Sequence, residues 1–262
     1  MIGKTIFSIF VHREMVWETT KRDLKGIHQG AILGFLWIFI NPLVQTTIYV
    51  MVVSFIFKGR FKENAGPFDY ALYVLSGMIP WQVMMVSLQQ APGLIRDRVA
   101  LIKQIVYPIE TLPFTSIIVS CFGSFVSFAL FIILTIATGY ARLSFVLFPL
   151  PLVLLIILVL GLSWILSVVG VWIKDLREII AVAISLLIYV SPVIASEEMV
   201  GARVWHYILL NPLSHVVICF RDIFQSTFHP ASWVIFLSMS FSFFMAGALA
   251  ISKTKLLVNE YI

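Results

Sequence analysis

The sequence predicts an all-α polytopic membrane protein: six transmembrane helices, an N-terminal interfacial amphipathic helix, and a re-entrant or interfacial helical element before the last span. Three observations carry that expectation. First, 60% of the 262 residues are apolar and 12% are charged, against roughly 45–50% and about 25% in a soluble domain. With a mean hydropathy of +1.01, too few charged side chains remain to cover a water-facing surface. Second, several runs without Asp, Glu, Lys or Arg exceed the ~20 helical residues that cross a ~30 Å hydrocarbon layer. Third, Lys and Arg gather in alternate connections between those runs.

Residues 1–30 form the first element, and nothing in them has the long apolar core and small-residue cleavage site of a removed signal peptide. Between about Ile6 and Ile27, Phe10, Trp17, Leu24 and Ile27 recur along one helical stripe, while Glu14, Glu18, Lys21 and Lys25 occupy another. Acidic residues come first and Lys21, Arg22 and Lys25 last, which suits the helix dipole, and Glu18 with Arg22 makes a favourable four-apart pair. Such a helix lies in the interface plane with Trp17 at headgroup depth, either as a simple anchor or lining an opening for an amphipathic substrate.

The membrane region covers 31–252, with spans at about 31–57, 70–91, 111–141, 143–173, 179–196 and 231–252. Pro80 interrupts the second span, and Pro192 sits near the end of the fifth, which is only just long enough. The stretch 204–224 carries Asn211-Pro212 in its middle, and Pro lacks the N–H a helix interior needs. It therefore reads as an outer re-entrant pair of short helices. With six crossings, the N-terminal region, the 96–110 segment, the 174–178 loop and the 253–262 tail share one side and hold 12 of the 18 Lys and Arg residues. The positive-inside rule then places both termini in the cytoplasm of a multi-pass inner-membrane protein.

Most soluble-enzyme chemistry is missing. Cys121 and Cys219 lie in apolar runs and support neither a disulfide framework nor a thiolate metal site. No Walker-type GxxxxGK[ST] run and no HExxH motif occurs. His206, His215 and His229 have no cysteine or carboxylate completing a metal set, so no metal is expected. Adjacent Glu197 and Glu198 point in different directions and read as a solvated outer turn rather than a catalytic pair. The net charge of +5 is explained by topology, and nucleic-acid binding has no independent support. Span cores lack the Asp, Glu, Lys or Arg that ion-coupled carriers place there, so the driving energy comes from outside the chain. Aromatic residues are plentiful, with 22 Phe, 8 Tyr and 7 Trp, and a subset suits the apolar faces of sugars.

On the cytoplasmic side, RDRVALIKQIVYPIE (Arg96–Glu110) brackets an apolar-rich middle with charges. It reads as a short helix at the membrane surface or in a partner's groove. KDLRE (Lys174–Glu178) is short enough to act as a second contact.

Together these motifs resemble the transmembrane permease subunit of ABC-2 type polysaccharide exporters, which move O-antigen, capsule or teichoic acid chains; the likeness is greatest to O-antigen exporter permeases. KRDLKGIHQGAILGFLWIFINPL (Lys21–Leu43) is similar to the family's approach to the first span, with Leu33-Gly34, Trp37 and Asn41-Pro42 in place. LSGMIPWQ (Leu75–Gln82), LIKQIVYPIETLP (Leu101–Pro113), VWIKDLREI with IYVSPVI, and LLNPLSHVVICFRDIF follow in the family's order. His28-Gln29 departs from the pair found in many relatives.

The resemblance implies a homodimer with two copies of a nucleotide-binding ATPase, in which ATP and Mg would bind, while this chain is expected to have no cofactor and no catalytic site. It implies a prenyl-diphosphate-linked glycan as cargo. Arg96, Arg98, Leu101, Ile105, Tyr107, Lys174, Asp175 and Arg177 are then candidate ATPase-coupling residues. Trp17, Lys21, Arg22 and Lys25 are candidates to meet the lipid diphosphate, with Arg96 and Arg98 second. Trp37, Tyr49, Trp81 and Tyr189 are candidate conduit aromatics, and Asn211, Pro212 and Arg221 belong to an outer gate. Competing readings are an exporter of small amphiphiles, an integral-membrane enzyme acting on prenyl-linked sugars, and a structural assembly subunit. Ile105→Asp and Tyr107→Asp are each expected to abolish export while leaving membrane insertion intact. Unchanged glycan export in both variants would remove the coupling role.

Overall fold

The computed structural model describes residues 7–8, 11–26, 30–56, 67–99, 102, 108–140 and 143–261. Among them the regular structure is helical, with no strand. Helix α1 (Arg13–Gly26) is followed by α2 (Trp37–Ile56), α3 (Pro67–Gln90), α4 (Leu112–Ala137) and α5 (Pro149–Trp172). Then come α6 (Leu176–Leu187), α7 (Glu197–Leu210), α8 (Pro212–Gln225) and α9 (Pro230–Tyr261). Among the described residues, four helices are long and apolar enough to cross a membrane (α3, α4, α5 and α9), or up to five if the bent pair α7–α8 is one span. Helix α2 adds 20 residues without a charged side chain.

Helix α3 is the centre of the bundle. Its apolar stretch is 83% buried, whereas those of α4, α5 and α9 are 39%, 39% and 33% buried and turn the rest of their apolar surface outward. Hydrophobic burial alone discriminates poorly among helices in an apolar solvent, so association relies on close packing and interhelical hydrogen bonds. Both are present. Along the α3–α4 seam, Ser127 Oγ donates to Gln82 Oε1 at 2.8 Å, the Ser87 and Ser120 hydroxyls are 2.8 Å apart, and Ser116 Oγ donates to Gln90 Oε1 at 2.9 Å. The pairs advance along α3 as they retreat along α4, which sets the antiparallel register. Between α5 and α9 the backbones touch. A Cβ on Gly161 would collide with the backbone of Phe243 and Phe244, and one on Gly247 with the backbone of Gly161 itself.

Several details differ from expectation. Helix α3 runs unbroken through Pro80, and α2 through Pro42; packed neighbours let membrane helices accommodate proline. Helix α6 stops at Leu187 after 12 residues, about 18 Å at 1.5 Å per residue, where the charge-free run continues to Ser196. Helix α1 packs on α4 through Val16, Thr19, Thr20 and Leu24, not through a Trp17-containing stripe. Trp17 is half-exposed, and Phe10 and Ile27 lie outside the described residues. Thr20 tolerates burial because its Oγ donates to Val16 O at 2.8 Å, and its small side chain permits close approach.

Gly161→Ala is expected to cost about 1–3 kcal/mol through overpacking, read as a lower unfolding temperature in nanodiscs. Gly123→Ala, whose Cβ meets nothing within 4 Å, leaves it unchanged or raised. Equal behaviour of the two variants would overturn the α5–α9 contact.

Candidate functional site

Two polar clusters sit at opposite ends of α3. The first forms where α6 ends. Ser191, Pro192 and Val193 are buried in non-helical backbone, and such backbone needs partners for its carbonyls. Tyr70 Oη donates to Ile194 O at 2.9 Å, Tyr73 Oη donates to Ala195 O at 2.8 Å, and Arg221 Nη2 donates to Val193 O at 3.0 Å. The Arg221 guanidinium lies 3.5 Å over the Tyr73 ring and also reaches Tyr73 O at 3.4 Å. Gly77 leaves it room, since a Cβ there would lie 3.1 Å from Nη2 and 3.2 Å from the Val193 backbone. Arg221 is thus 5% exposed, a buried clamp on the turn that follows α6.

The expected break at Asn211-Pro212 is present: α7 and α8 meet at 113°. Pro212 forces Asn211 into extended backbone (φ −74°, ψ 115°), and Asn211 Oδ1 caps α8 by accepting from Leu213 N at 3.1 Å. Its Nδ2 donates to Ser191 Oγ at 3.0 Å, tying the bend to the turn after α6. Gly201, at φ 77°, kinks α7. Asp222 does not pair with Arg221. Its carboxylate accepts from Thr227 Oγ1 (2.9 Å), His229 N (2.9 Å), His229 Nδ1 (2.6 Å) and Trp233 Nε1 (2.9 Å), closing the start of α9.

A cavity of about 520 Å³ borders this clamp, with Arg221, Ser196, Trp205 and Tyr73 among its walls. A second, of about 320 Å³, adjoins it through Tyr73, Gln225 and Thr227 and is walled by Phe131, Tyr140 and Phe145.

At the other end of α3 the charges pair across segments. Arg98 Nη2 meets Asp23 Oδ2 of α1 at 2.5 Å, with both side chains 20% exposed. Arg177 Nη1 meets Asp97 Oδ2 at 3.2 Å, and Arg96 Nη1 donates to Lys174 O at 3.3 Å. The 96–98 turn, the 174–178 loop and α1 therefore form one connected patch. Lys174 and Asp175 are exposed within it, while Leu101, Ile105 and Tyr107 lie outside the described residues. Lys21 pairs with Glu18 at 2.6 Å in place of the expected Arg22, and Arg22 and Lys25 are exposed, as is Arg13 in the first turn of α1.

The expected aromatic set is scattered. Trp81 is 2% exposed within the core and offers no ring to a surface of this chain; Tyr189 is exposed, Trp37 half-buried, and the Tyr49 side chain lies outside the described residues. Glu197 and Glu198 are exposed in the first turn of α7. Among the described residues no group of three or more His, Cys, Asp or Glu side chains is placed to hold a metal. Tyr70, Tyr73, Ser196, Asp222, Asp23 and Asp97 were not anticipated. Arg221 and Asp222 inside the run VVICFRDIF were the available signal, because charge within an apolar segment is costly.

This architecture defines an all-α, multi-pass membrane protein with several long apolar helices. The chain belongs to the ABC-2 type transporter family, which matches residues 14–225. It is 26% identical over 225 residues, 84% of each chain, to the O-antigen export system permease protein RfbA of Myxococcus xanthus. An RfbA permease of Klebsiella pneumoniae is 25% identical over 210 residues, 79% of this chain and 78% of its own. The polysialic acid transport protein KpsM of Escherichia coli is 25% identical over 192 residues, 72% of this chain and 73% of its own.

Asp222→Ala leaves several donors without an acceptor and is expected to lower stability by about 1–3 kcal/mol, with Thr227→Val costing less. Thermal unfolding in nanodiscs checks both, and an unchanged Asp222→Ala midpoint would remove the capping role.

Proposed function

We propose that the chain is the permease subunit of an ATP-driven exporter that carries a prenyl-diphosphate-linked polysaccharide of O-antigen type across the inner membrane. The observation that carries this reading is the family match over residues 14–225, joined by relatives of similar length that include O-antigen export permeases. In this reading the chain crosses the membrane six times with both termini in the cytoplasm. It works as a homodimer with two nucleotide-binding ATPase subunits, where ATP and Mg act, and itself performs no catalysis.

The ionic patch supports the coupling role. A partner pressing on the 96–98 turn moves Lys174 through Arg96, Arg177 through Asp97, and α1 through Arg98 and Asp23. Exposed Arg22 and Lys25 on the same helix suit the first encounter with a lipid diphosphate, as charge-assisted hydrogen bonds to phosphate are strong. Bent α7–α8 lies at the opposite end of α3 and suits an outer constriction. Weak stacking on exposed aromatics such as Tyr189 permits sliding without demanding one sugar sequence.

The test is ATP hydrolysis by the purified chain with its ATPase in lipid nanodiscs, with and without prenyl-diphosphate-linked polysaccharide. Stimulation by that lipid is expected. Stimulation by small amphiphiles alone would favour the competing transporter reading. Asp97→Arg is expected to weaken stimulation, and the swap Asp97→Arg with Arg177→Asp to restore part of it; no recovery would show that the pair does not transmit.

A further inference from the structure

We propose that Gly170 and Trp164 of α5 are positioning residues for the coupling segment 91–111, so that α5, with α9 behind it, is a lever moved by the ATPase. The inference rests on the coupling reading of that segment and adds the helix that receives its thrust. Covalently the segment joins α3 to α4, and those two helices are held together by the side-chain hydrogen bonds of their seam. A push on their connection therefore moves the pair as one, and its further course depends on what else the segment touches.

The described ends of the segment both rest on α5. At its start Ala91, Pro92 and Gly93 are buried, and a Cβ on Gly170 would collide with the backbone of Pro92. Backbone bears on backbone there, with no side chain between. At its finish the fully buried Trp164 donates from Nε1 to Glu110 O at 3.0 Å. Leu166 of α5 packs against Ala91, Leu94 and Leu112, a cluster drawn from both ends. Trp164 and Gly170 are about 9 Å apart along the helix at 1.5 Å per residue, so the segment is braced at two points and cannot pivot on either alone.

The same stretch of α5 passes movement to α9. Gly161 and Gly247 leave no room for a Cβ where the two helices touch, and the Trp164 ring lies 5.3 Å from that of Phe244. Close-packed contacts of this kind transmit displacement rather than absorb it. The apolar stretches of α5 and α9 are only 39% and 33% buried, and an apolar face that shifts against equally apolar lipid gives up little. Helices α5 and α9 can thus swing on the α3–α4 pair, with Trp164 touching both the segment that pushes and the helix that follows.

Spin labels at Val234→Cys, exposed near the start of α9, test this in the full chain with its ATPase in nanodiscs, Cys121→Ala and Cys219→Ala having removed the native thiols. The distance between the labels of the two copies is expected to shift when a non-hydrolysable ATP analogue is added. Trp164→Phe keeps a ring against Phe244 and removes the donor to Glu110 O. It is expected to shrink the shift about twofold or more, the scale of one hydrogen bond, while the nucleotide-free distance and the unfolding temperature hold. Gly170→Ala, which lifts Pro92 off α5, is expected to shrink it further. No shift in the parent chain, a full shift in Trp164→Phe, or an altered nucleotide-free distance with the shift preserved would each overturn the lever. The exporter reading fails separately: a shift that depends on Trp164, in a complex whose ATP hydrolysis prenyl-diphosphate-linked polysaccharide does not stimulate, removes the glycan cargo and leaves the lever standing.

Discussion

The structure depends on how an apolar helix bundle accommodates backbone that is not helical. From Ser191 to Ser196 the chain, having left α6, turns through largely buried surroundings, where an unmet carbonyl costs as much as a lost hydrogen bond. Three side chains meet that demand, the hydroxyls of Tyr70 and Tyr73 and the guanidinium of Arg221. Everything around them follows from it. Gly77 has no side chain because Arg221 occupies the space, α8 is drawn against α3 by the same guanidinium, and Asn211 fastens the α7–α8 bend to Ser191.

A guanidinium is the group suited to this task and also the source of its consequence. Its planar cation rests on Tyr73 while one nitrogen reaches two carbonyls, geometry that a lysine ammonium does not reproduce. Carbonyl dipoles and a ring quadrupole attenuate the charge without cancelling it. The cavity beside it therefore carries both signs of charge, lined by this guanidinium and by the carboxylates of Glu197, Glu198 and Asp222.

Much of the fold was legible because membrane crossing is a one-dimensional constraint. Charge-free runs expected at 111–141 and 143–173 became helices ending at Ala137 and Trp172, and Asn211-Pro212 announced the bend, since proline forces its predecessor out of the helical region. Long-range partners were not legible. Leu187 ends α6 where side chains more than 100 positions away take over the following carbonyls, Tyr70 lying 124 residues from Ile194 and Tyr73 122 from Ala195. Trp81 illustrates the same limit: composition marks it as aromatic, and only packing decides that it is sealed in the core. At the candidate site, Arg221 stood out as a charge in an apolar run, but neither its partners nor Ser196 could be read from spacing.

The two ends of α3 differ in how readily they can be rearranged. Between Tyr73 and Gln90 lies about 25 Å of continuous helix, buried and pinned by the Ser–Gln contacts to α4, so displacement at one end is carried rather than absorbed. At the 96–98 end, Arg177 and Asp97 are about half-exposed, and exposed ion pairs contribute about 1 kcal/mol or less. Contacts of that size can break and re-form in each cycle of a transport ATPase at little cost. At the other end, Arg221 and Asp222 are buried, so parting either from its hydrogen-bond partners leaves a buried charge unsatisfied. A bundle built this way yields first at the face proposed to meet the ATPase and holds its shape around the far cavity, which favours rigid-body movement of α3 with the clamp intact over local opening of the clamp itself.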